Sequence, residues 1–353
     1  MSTVNHDRLM QAVGQAVVEM GAAFNAALVV LGDRLGLYKA MAGAGPLTSE
    51  QLASRTGMNE RYLREWLSAQ AAGHFVEYDA SNRSFTLTDE WALLLAHEDG
   101  PAFVPAAFEM LRALVMDEPR IEEAFRTGEG VGWDEHHPCL FSGCEKFFKP
   151  SYLMNLVSSW LPALEGVVEK LQDGARVADI GCGHGASTII MAQAFPKSQF
   201  WGFDYHEGSI EAARKSAAKA GVGDRCMFEI ASSKIYPGSG YDLVATFDCL
   251  HDMGDPAGAA AHVLGSLKEG GTWLIVEPFA HDELEKNLNP AGRVYYCAST
   301  MVCTPASKAQ EVGLALGAQA GEKRIRDVVM QGGFKRFRRA AETPFNLVFE
   351  ARA

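Results

Sequence analysis

The chain has 353 residues, which is enough for about two domains that each bury a hydrophobic core. Apolar residues make up 48% of the chain and charged residues 22%, a composition that excludes fibrous and disordered proteins. The 32 basic and 44 acidic side chains give a net charge of −12, which disfavours nucleic acid and anionic membranes as partners.

The cysteines and the N-terminal residues bear on the compartment. Seven cysteines are scattered along the chain, an odd number that is typical of reduced thiols rather than of a disulfide framework. No apolar run approaches about 18 residues, and Asp7, Arg8 and Glu19 stand where a signal peptide would need an apolar block. We therefore expect a cytoplasmic protein that does not bind a membrane.

The first predicted element is a long helix with an apolar stripe. Its apolar residues recur every three or four positions and comprise Val13, Val17, Met20, Phe24, Leu28, Leu31 and Leu35. Such a stripe must be buried, either in the core of the same chain or in the seam of a dimer. The sequence leaves both alternatives open.

Two short helices and a hairpin come next. The helix signals are the N-caps Thr48, which opens a capping box, and Asn59, and the terminal glycines Gly57 and Gly73. The runs at 74–78 and 83–88 then predict a β-hairpin whose inward side chains are Phe75, Phe85 and Leu87. This order is typical of a winged helix-turn-helix, and we assign it to a domain at 1–100.

The charge of the winged helix argues against DNA binding. From Thr48 to Trp91 there are four basic and seven acidic side chains, a net charge of −3. A recognition helix must neutralise several phosphates before it reads a base, whereas Arg61 and Arg64 each lie beside a glutamate. A structural or dimerising role is favoured, and a transcriptional regulator is the alternative.

Positions 101–170 are predicted to be mostly helical, with an irregular aromatic segment at 130–152. Loops seldom carry so much apolar mass without lining a pocket, so the segment is interpreted as a substrate lid or as packing between domains. Four residues of this segment are of types that can bind zinc: His136, His137, Cys139 and Cys144. Their spacing, however, matches no standard zinc finger. We predict no metal there.

The remaining residues, 171–353, alternate short apolar runs with helical stretches. Such alternation predicts a parallel sheet that helices cover on both faces. A closing pair of strands turns at Thr343 and Pro344 and brings the count to seven. The predicted fold class is α/β: a doubly wound, Rossmann-like sheet of seven strands whose last strand is antiparallel, behind a winged helix and a helical lid.

The string VADIGCGHGAS, at 177–187, predicts a nucleotide-like ligand. A buried strand runs into Gly181, Gly183 and Gly185 and then into a helix, a turn that lets backbone approach a ligand closely. The same string suits a dinucleotide, but Asp179 would repel a pyrophosphate and attract the ammonium and sulfonium of S-adenosylmethionine. An NAD-dependent oxidoreductase is therefore the less favoured interpretation.

Further cofactor contacts are expected where the next strands end. Asp204 follows the last glycine by 19 residues, where a carboxylate can accept two hydrogen bonds from a ribose diol. Tyr205 could lie against the sugar or the adenine. The ends of the third and fourth strands add four candidates, Ser232, Ser233, Phe247 and Asp248.

These motifs together resemble a known family. VADIGCGHG, Asp204 and YDLVATFDCLHD are similar to class I S-adenosylmethionine-dependent methyltransferases, and the winged helix narrows the resemblance to small-molecule O-methyltransferases, especially actinobacterial and mycobacterial ones. The resemblance implies a winged helix that serves dimerisation and covers the substrate pocket. Ser232 stands where the family commonly has an acidic contact to adenine.

Methyl transfer from a sulfonium needs an aligned and deprotonated acceptor, so a base is expected beside the fourth strand. His251 lies there, in the string LHDMGDP, and a carboxylate on its other nitrogen would orient it. The resemblance assigns that carboxylate to Glu277, and it places Met253 where the family has tryptophan. Asp252 is expected to brace the loop or to contact the acceptor.

The acceptor pocket is predicted to be aromatic. Its candidate residues are Trp133, His136, His137, Phe147, Phe148 and Tyr152 on one side and Arg293, Tyr295, Tyr296 and Met301 on the other. Half of them could equally be core residues between domains. We predict a dimeric, metal-independent methyltransferase that acts on a small, hydroxylated aromatic or apolar molecule.

Overall fold

The computed structural model describes residues 4–98, 100 and 102–353. Its contacts divide the chain into two compact units, Met1–Arg112 and Ala113–Ala353. The predicted boundaries at positions 100 and 170 remain predictions, and in the structure most of the predicted linker segment packs within the second unit.

The first unit contains the predicted winged helix. Thr48 forms its capping box with Gln51, the side chain of Asn59 caps the next helix, and Phe85 and Leu87 are buried. The elements are α1 (His6–Arg34), α2 (Leu37–Met41), α3 (Ser49–Thr56), α4 (Glu60–Ala72), β1 (Glu77–Asp79), β2 (Ser84–Thr86) and α5 (Asp89–Leu95). Strands β1 and β2 pair antiparallel as the expected hairpin.

The apolar stripe of α1 is not buried within its own chain. Phe24 is 77% exposed and Val17 56%, and of the seven stripe residues only Leu28 packs partly against the core of the unit. Burial in an intramolecular core, the first alternative, is therefore wrong, because α1 buries Ala26, Val29, Val30 and Gly32 instead. Of the helices described, α1 alone is long and apolar enough to cross a membrane, with a mean hydropathy of 1.5 and 17% of the segment buried.

The helices before the large sheet follow the predicted helical region. They are α6 (Pro105–Thr127), α7 (Cys139–Asn155) and α8 (Val167–Asp173), and α7 continues into a π-helical turn at Leu156–Trp160. The irregular segment at 130–152 is shorter than expected, because its second half forms α7 and only Trp133–Glu135 adopts a 3-10 turn.

A seven-stranded sheet organises the second unit, as predicted. Its strands are β3 (Arg176–Ile180), β4 (Gln199–Asp204), β5 (Cys226–Ile230), β6 (Tyr241–Phe247), β7 (Leu267–Pro278), β8 (Arg336–Glu342) and β9 (Asn346–Arg352). The strand order is β5-β4-β3-β6-β7-β9-β8, and β9 alone runs antiparallel to its neighbours. The remaining helices are α9 (Ala186–Ala194), α10 (Glu207–Lys219), α11 (Pro256–Ser266), α12 (Pro290–Ala298), α13 (Thr304–Lys308) and α14 (Gly321–Gln331).

Helices cover both faces of this sheet, so most residues of its central strands are buried. Alternate residues of each strand enter different cores: Leu243 and Leu274 contribute to one, Val244 and Ile275 to the other. All seven residues of β6 are buried. None of the seven cysteines, all of which lie in the described part of the chain, forms a disulfide.

Candidate active site

The predicted site residues meet at the carboxyl edge of the sheet. Strands β3 and β6 are neighbours there, although β4 and β5 separate them in sequence. In an open parallel sheet the crevice opens where the strand order reverses, because successive connections leave on opposite sides. The predicted cofactor and catalytic residues lie either in the last residues of β3, β4, β6 and β7 or in the loops that follow β3, β4, β5 and β6.

The glycine turn after β3 is shaped for a ligand. Gly181, Gly183 and Gly185 all have positive φ angles, and Gly185 directly precedes α9. A Cβ added at Gly185 would lie 2.8 Å from the ring of Phe228, whereas a Cβ at Gly183 would have no heavy atom within 4 Å. Gly185 is thus required for packing, and Gly183 presents its Cα to open space.

Asp179 is a buried carboxylate with one oxygen left over. It is 1% exposed, and its Oδ2 accepts hydrogen bonds from the hydroxyls of Ser187 and Thr188, both at 2.6 Å. Its Oδ1 is buried and has no hydrogen-bond partner among the described residues. Burial raises the pKa of Asp179 to about 6. An unsatisfied buried carboxylate oxygen fits the positively charged part of S-adenosylmethionine.

Asp204 closes the same turn from β4. Its Oδ2 accepts the N–H of Gly183 at 3.0 Å and its Oδ1 accepts the N–H of His206 at 2.9 Å. Burial raises the pKa of this carboxyl as well. The contact of Asp204 with a ribose diol remains a prediction, for which its carboxylate has lone pairs left, and the half-exposed ring of Tyr205 follows directly.

The ends of β5 and β6 complete the edge. Ser232 and Ser233 are half-buried in a turn in which the carbonyl of Ser232 accepts two backbone N–H groups. Phe247 is buried at the end of β6, and its ring centroid lies 5.4 Å from that of Tyr152. The structure brings these residues to the crevice, and their contacts to a cofactor remain predictions.

Asp248 has an unusual backbone conformation and a fully engaged side chain. Its φ angle is +50°, which a non-glycine residue seldom adopts, and its carboxylate accepts hydrogen bonds from Tyr152 Oη and Asn346 Nδ2, each at 3.0 Å. Burial, and then the nearby Glu277, raise the pKa of Asp248 to about 7. Strain of this kind is often retained at functional sites.

His251 forms a buried dyad with Glu277. Its Nδ1 lies 2.5 Å from Glu277 Oε2, while Glu277 Oε1 accepts the N–H of Leu250 at 3.0 Å. On the other side, Nε2 lies 3.1 Å from Asp252 Oδ1. Burial alone would lower the pKa of His251, but Asp252 and Glu277 outweigh it and hold that pKa well above the usual value. The two carboxylates therefore favour the protonated ring, whereas the sequence predicts a neutral imidazole.

The segment around α13 fixes the loop that carries His251. Gln310 donates to the carbonyl of Asp252 at 2.9 Å and accepts the N–H of Gly254 at 3.1 Å. Ser307 donates to the carbonyl of Met253 at 2.9 Å. Side chains of Gln310 and Ser307 thus hold the loop through its main-chain groups. The side chain of Met253 takes no part in these hydrogen bonds.

Helix α7 lies across the carboxyl edge and touches three of the loops. The ring centroid of Phe141 lies 4.3 Å from that of His206, after β4. Glu145 Oε2 lies 2.8 Å from Nδ1 of His184, in the glycine turn, and Tyr152 binds Asp248 after β6. That this segment acts as a substrate lid remains a prediction.

The predicted acceptor residues differ in how deeply they are buried. His136 is 3% exposed; its Nδ1 lies 2.9 Å from Asp117 Oδ2, and its Nε2 is buried without a partner among the described residues. Tyr152 is buried against Asp248, and Met301 packs with Trp133 around Leu140. Arg293 is exposed, and the half-buried candidates are Trp133, His137, Phe147, Phe148, Tyr296 and Met301. Tyr295 donates its hydroxyl to the carbonyl of Phe345.

Sequence reasoning missed several partners of these residues. Ser187 and Thr188 lie in the first turn of α9, directly after the glycine turn. Their position in the sequence could have indicated them as hydrogen-bond donors to Asp179. Asp117, Glu145 and Asn346 come from distant elements, and nothing in their local sequence indicates which side chain they meet.

Both units match models of known protein families. Residues 23–97 match the family model of the Rv2258c-like winged HTH domain, and residues 171–326 match that of a methyltransferase domain. The chain is 30% identical over 160 residues to 27-O-demethylrifamycin SV methyltransferase of Amycolatopsis mediterranei, an alignment that covers 45% of this chain and 47% of that protein. It is 30% identical over 136 residues to the ubiquinone biosynthesis O-methyltransferase of Bordetella avium, covering 37% and 52%. The matches thus span about half the length of these relatives.

Solved structures share the fold over nearly the whole chain. An O-methyltransferase family protein from Burkholderia thailandensis superposes with a TM-score of 0.69 at 18% identity, covering 100% of this chain and 99% of that one. Human N-acetylserotonin methyltransferase, solved with S-adenosylmethionine, superposes with a TM-score of 0.66 at 16% identity, covering 100% and 99%. At 16–18% identity these similarities concern the fold alone.

A pH titration of ligand binding tests the assignment of Asp179. Below pH 6 the carboxyl is protonated and no longer attracts a cation, so the affinity for S-adenosylhomocysteine should fall by about tenfold per pH unit. Isothermal calorimetry between pH 5 and pH 8 measures this. Asp248 titrates in the same range, so the reference is Asp179→Asn, which keeps Asp248 and should show a shallower slope. Equal slopes in the two proteins would remove Asp179 from the binding site.

Proposed function

The chain belongs to the class I S-adenosylmethionine-dependent methyltransferases with an N-terminal winged helix, and we propose that it methylates an oxygen of a small, largely apolar acceptor. The observation that carries the proposal is the meeting of two features at one sheet edge. One is the unpaired oxygen of Asp179 at the glycine turn. The other is His251, whose Nδ1 is held by a buried glutamate.

The residues around the glycine turn would hold the cofactor. Asp179 would attract its ammonium group, and Asp204 would bind its ribose hydroxyls. When bound, S-adenosylmethionine supplies a methyl group on a sulfonium sulfur, and the neutral thioether that remains after transfer is a good leaving group. The protein then has two tasks, to align the acceptor and to remove its proton.

His251 is proposed as the base that removes this proton. Glu277 keeps a proton on Nδ1, so Nε2 is the nitrogen that can accept one from an acceptor hydroxyl. Because the imidazolium is favoured, Nε2 must first lose its own proton, and Asp252 must move from its position 3.1 Å away. A cation bound nearby would assist, because positive charge lowers the pKa of an imidazolium.

The acceptor pocket is proposed to lie between the start of α7 and the π-helical turn at Ser299–Cys303. Trp133, Leu140 and Met301 pack there as an apolar cluster. His136, held in place by Asp117, supplies a buried nitrogen that has no hydrogen-bond partner in the described part of the chain. This combination suits a planar, hydroxylated molecule with a second polar atom for His136.

A transcriptional regulator is not favoured as the alternative. In α4, Arg61 lies 2.5 Å from Glu65 and Arg64 lies 2.6 Å from Glu60. These arginines would have to leave carboxylates on their own helix before they could neutralise phosphates. The paired charges support a winged helix that does not read DNA.

We propose that the exposed stripe of α1 forms a homodimer seam. Val17, Phe24 and Leu31 form an apolar face that is exposed to solvent in the single chain. Exposed apolar faces of this kind often mark an interface with another protein. A bilayer is the less favoured occupant, since Glu19 lies midway along the helix and a carboxylate at that depth costs about 2.5–3.5 kcal/mol. The scattered reduced cysteines support a cytoplasmic location.

Replacement of His251 tests the proposed base. The acceptor is first found by screening hydroxylated aromatic compounds for S-adenosylhomocysteine formation. On that acceptor, His251→Ala should lower kcat by about 10²-fold or more, because the proton has no acceptor, and should leave cofactor affinity nearly unchanged. The exposed His97→Ala is the matched control. Unaltered turnover in His251→Ala would end the general-base assignment.

Charge introduced into the α1 stripe tests the dimer. Val17→Glu combined with Phe24→Glu should convert a dimer into a monomer, because the seam would bury two carboxylates. Light scattering on the purified protein reports the mass. Tyr62→Glu, which changes an 82% exposed aromatic residue on α4, should leave the dimer intact. A monomeric wild type, or a double variant that stays dimeric, contradicts the proposal.

A further inference from the structure

A cluster of three different ligand atoms surrounds the far side of His251. One ring nitrogen of His251, one carboxylate oxygen of Asp252 and Sγ of Cys303 all lie within 4.8 Å of one another. His251 and Cys303 are buried, and Asp252 is partly buried. The proposed reaction uses the histidine, but it gives the thiol no role.

The fold holds these three groups together from two separate segments. Cys303 is the last residue of the π-helical turn at Ser299–Cys303, and α13 begins with the next residue. Ser307 and Gln310, from the same region, bind the main chain of Met253 and Asp252. The thiol and the histidine loop are therefore parts of one hydrogen-bonded assembly. Helical turns of the π type often occur at functional sites.

Two further observations indicate that the cluster lacks a partner. Asp252 Oδ1 is buried and receives no hydrogen bond from any described residue, although Nε2 of His251 lies 3.1 Å away. The thiol of Cys303 is also buried and forms no disulfide, although ligand atoms of His251 and Asp252 lie within 4.8 Å of it. Cys144, on α7, packs against the apolar cluster that contains Val302, the residue before Cys303.

The donor set selects the class of ion. Nitrogen, carboxylate and sulfur donors suit Zn²⁺, whereas Mg²⁺ and Ca²⁺ prefer oxygen alone. Zinc ligands lie about 2.0–2.3 Å from the metal. Donor atoms within 4.8 Å of one another reach these distances by small side-chain rotations. Water or the thiol of Cys144 would take the fourth position.

We propose that His251, Asp252 and Cys303 form an inhibitory Zn²⁺ site. Zn²⁺ would displace the thiol proton of Cys303 and the Nε2 proton of His251, and both protons would pass to solvent. The metal then occupies the lone pair that the base needs, so the loaded enzyme cannot deprotonate its acceptor. The inhibitory part rests on the proposed function, whereas the metal site itself does not.

Direct binding tests the site without any assay of activity. Wild-type protein should compete with a chromophoric chelator for one Zn²⁺, and Cys303→Ser should bind it at least tenfold more weakly. Cys297→Ser is the matched control, because Cys297 is exposed on α12 outside the cluster, and it should bind like the wild type. Equal affinity in wild type and Cys303→Ser, or no stoichiometric binding by the wild type, overturns the proposal.

Co²⁺ provides a second measurement that needs no variant. A thiolate ligand gives Co²⁺ a charge-transfer band in the near ultraviolet, and four-coordinate geometry gives intense visible bands. Both should appear when Co²⁺ is added to the wild type and disappear on addition of excess Zn²⁺. Co²⁺ bound without the thiolate band overturns the proposal, even if Cys303→Ser fails to fold.

Turnover measurements separate the two proposals. If methyl transfer occurs, Zn²⁺ should lower kcat in wild type and Cys297→Ser but not in Cys303→Ser, which keeps His251 and Glu277. Zn²⁺ binding through Cys303 in a protein without methyltransferase activity would sustain the metal site and end the proposed function. Activity that saturating Zn²⁺ leaves unchanged would end the inhibitory site and leave the function standing.

Discussion

Three carboxylates are held out of water at one edge of the central sheet, and the chemistry of the crevice depends on them. Asp179, Asp248 and Glu277 are 1%, 7% and 3% exposed. Hydroxyl, amide and imidazole donors satisfy most of their oxygens, yet removing negative charge from water remains costly without a nearby cation. The raised pKa values of Asp179 and Asp248 reflect that cost. A positively charged ligand would relieve it, and a pyrophosphate would increase it.

Contacts from α7, β9 and the loop after β6 hold Asp248 and Glu277 in place. Tyr152 on α7 and Asn346 at the start of β9 hold Asp248, which keeps its left-handed backbone conformation. Glu277 binds both the ring of His251 and the N–H of Leu250, so one carboxylate orients the side chain and the loop together. Side chains and main-chain groups of the protein thus hold both carboxylates in place.

Much of this arrangement could be predicted from the sequence, because it follows from local patterns. The capping box at Thr48, the alternation of strands and helices and the glycines after β3 each depend on a few neighbouring residues. The location of His251 followed from its place after β6. The partners of Asp248 and His136 could not be predicted, since Asn346 and Asp117 reach them through tertiary packing. The exposed stripe of α1 shows the same limit, because helical periodicity identifies an apolar face but not what covers it.

A thermodynamic cycle on Asp179 tests the electrostatic account most directly. The affinities of S-adenosylhomocysteine and of its analogue without the amino group are measured by calorimetry at pH 7.5 for wild type and Asp179→Asn. Removing the amino group should weaken binding to the wild type by at least about tenfold and should affect the variant much less, because the cation has lost its carboxylate. An equal loss in both proteins would contradict the account.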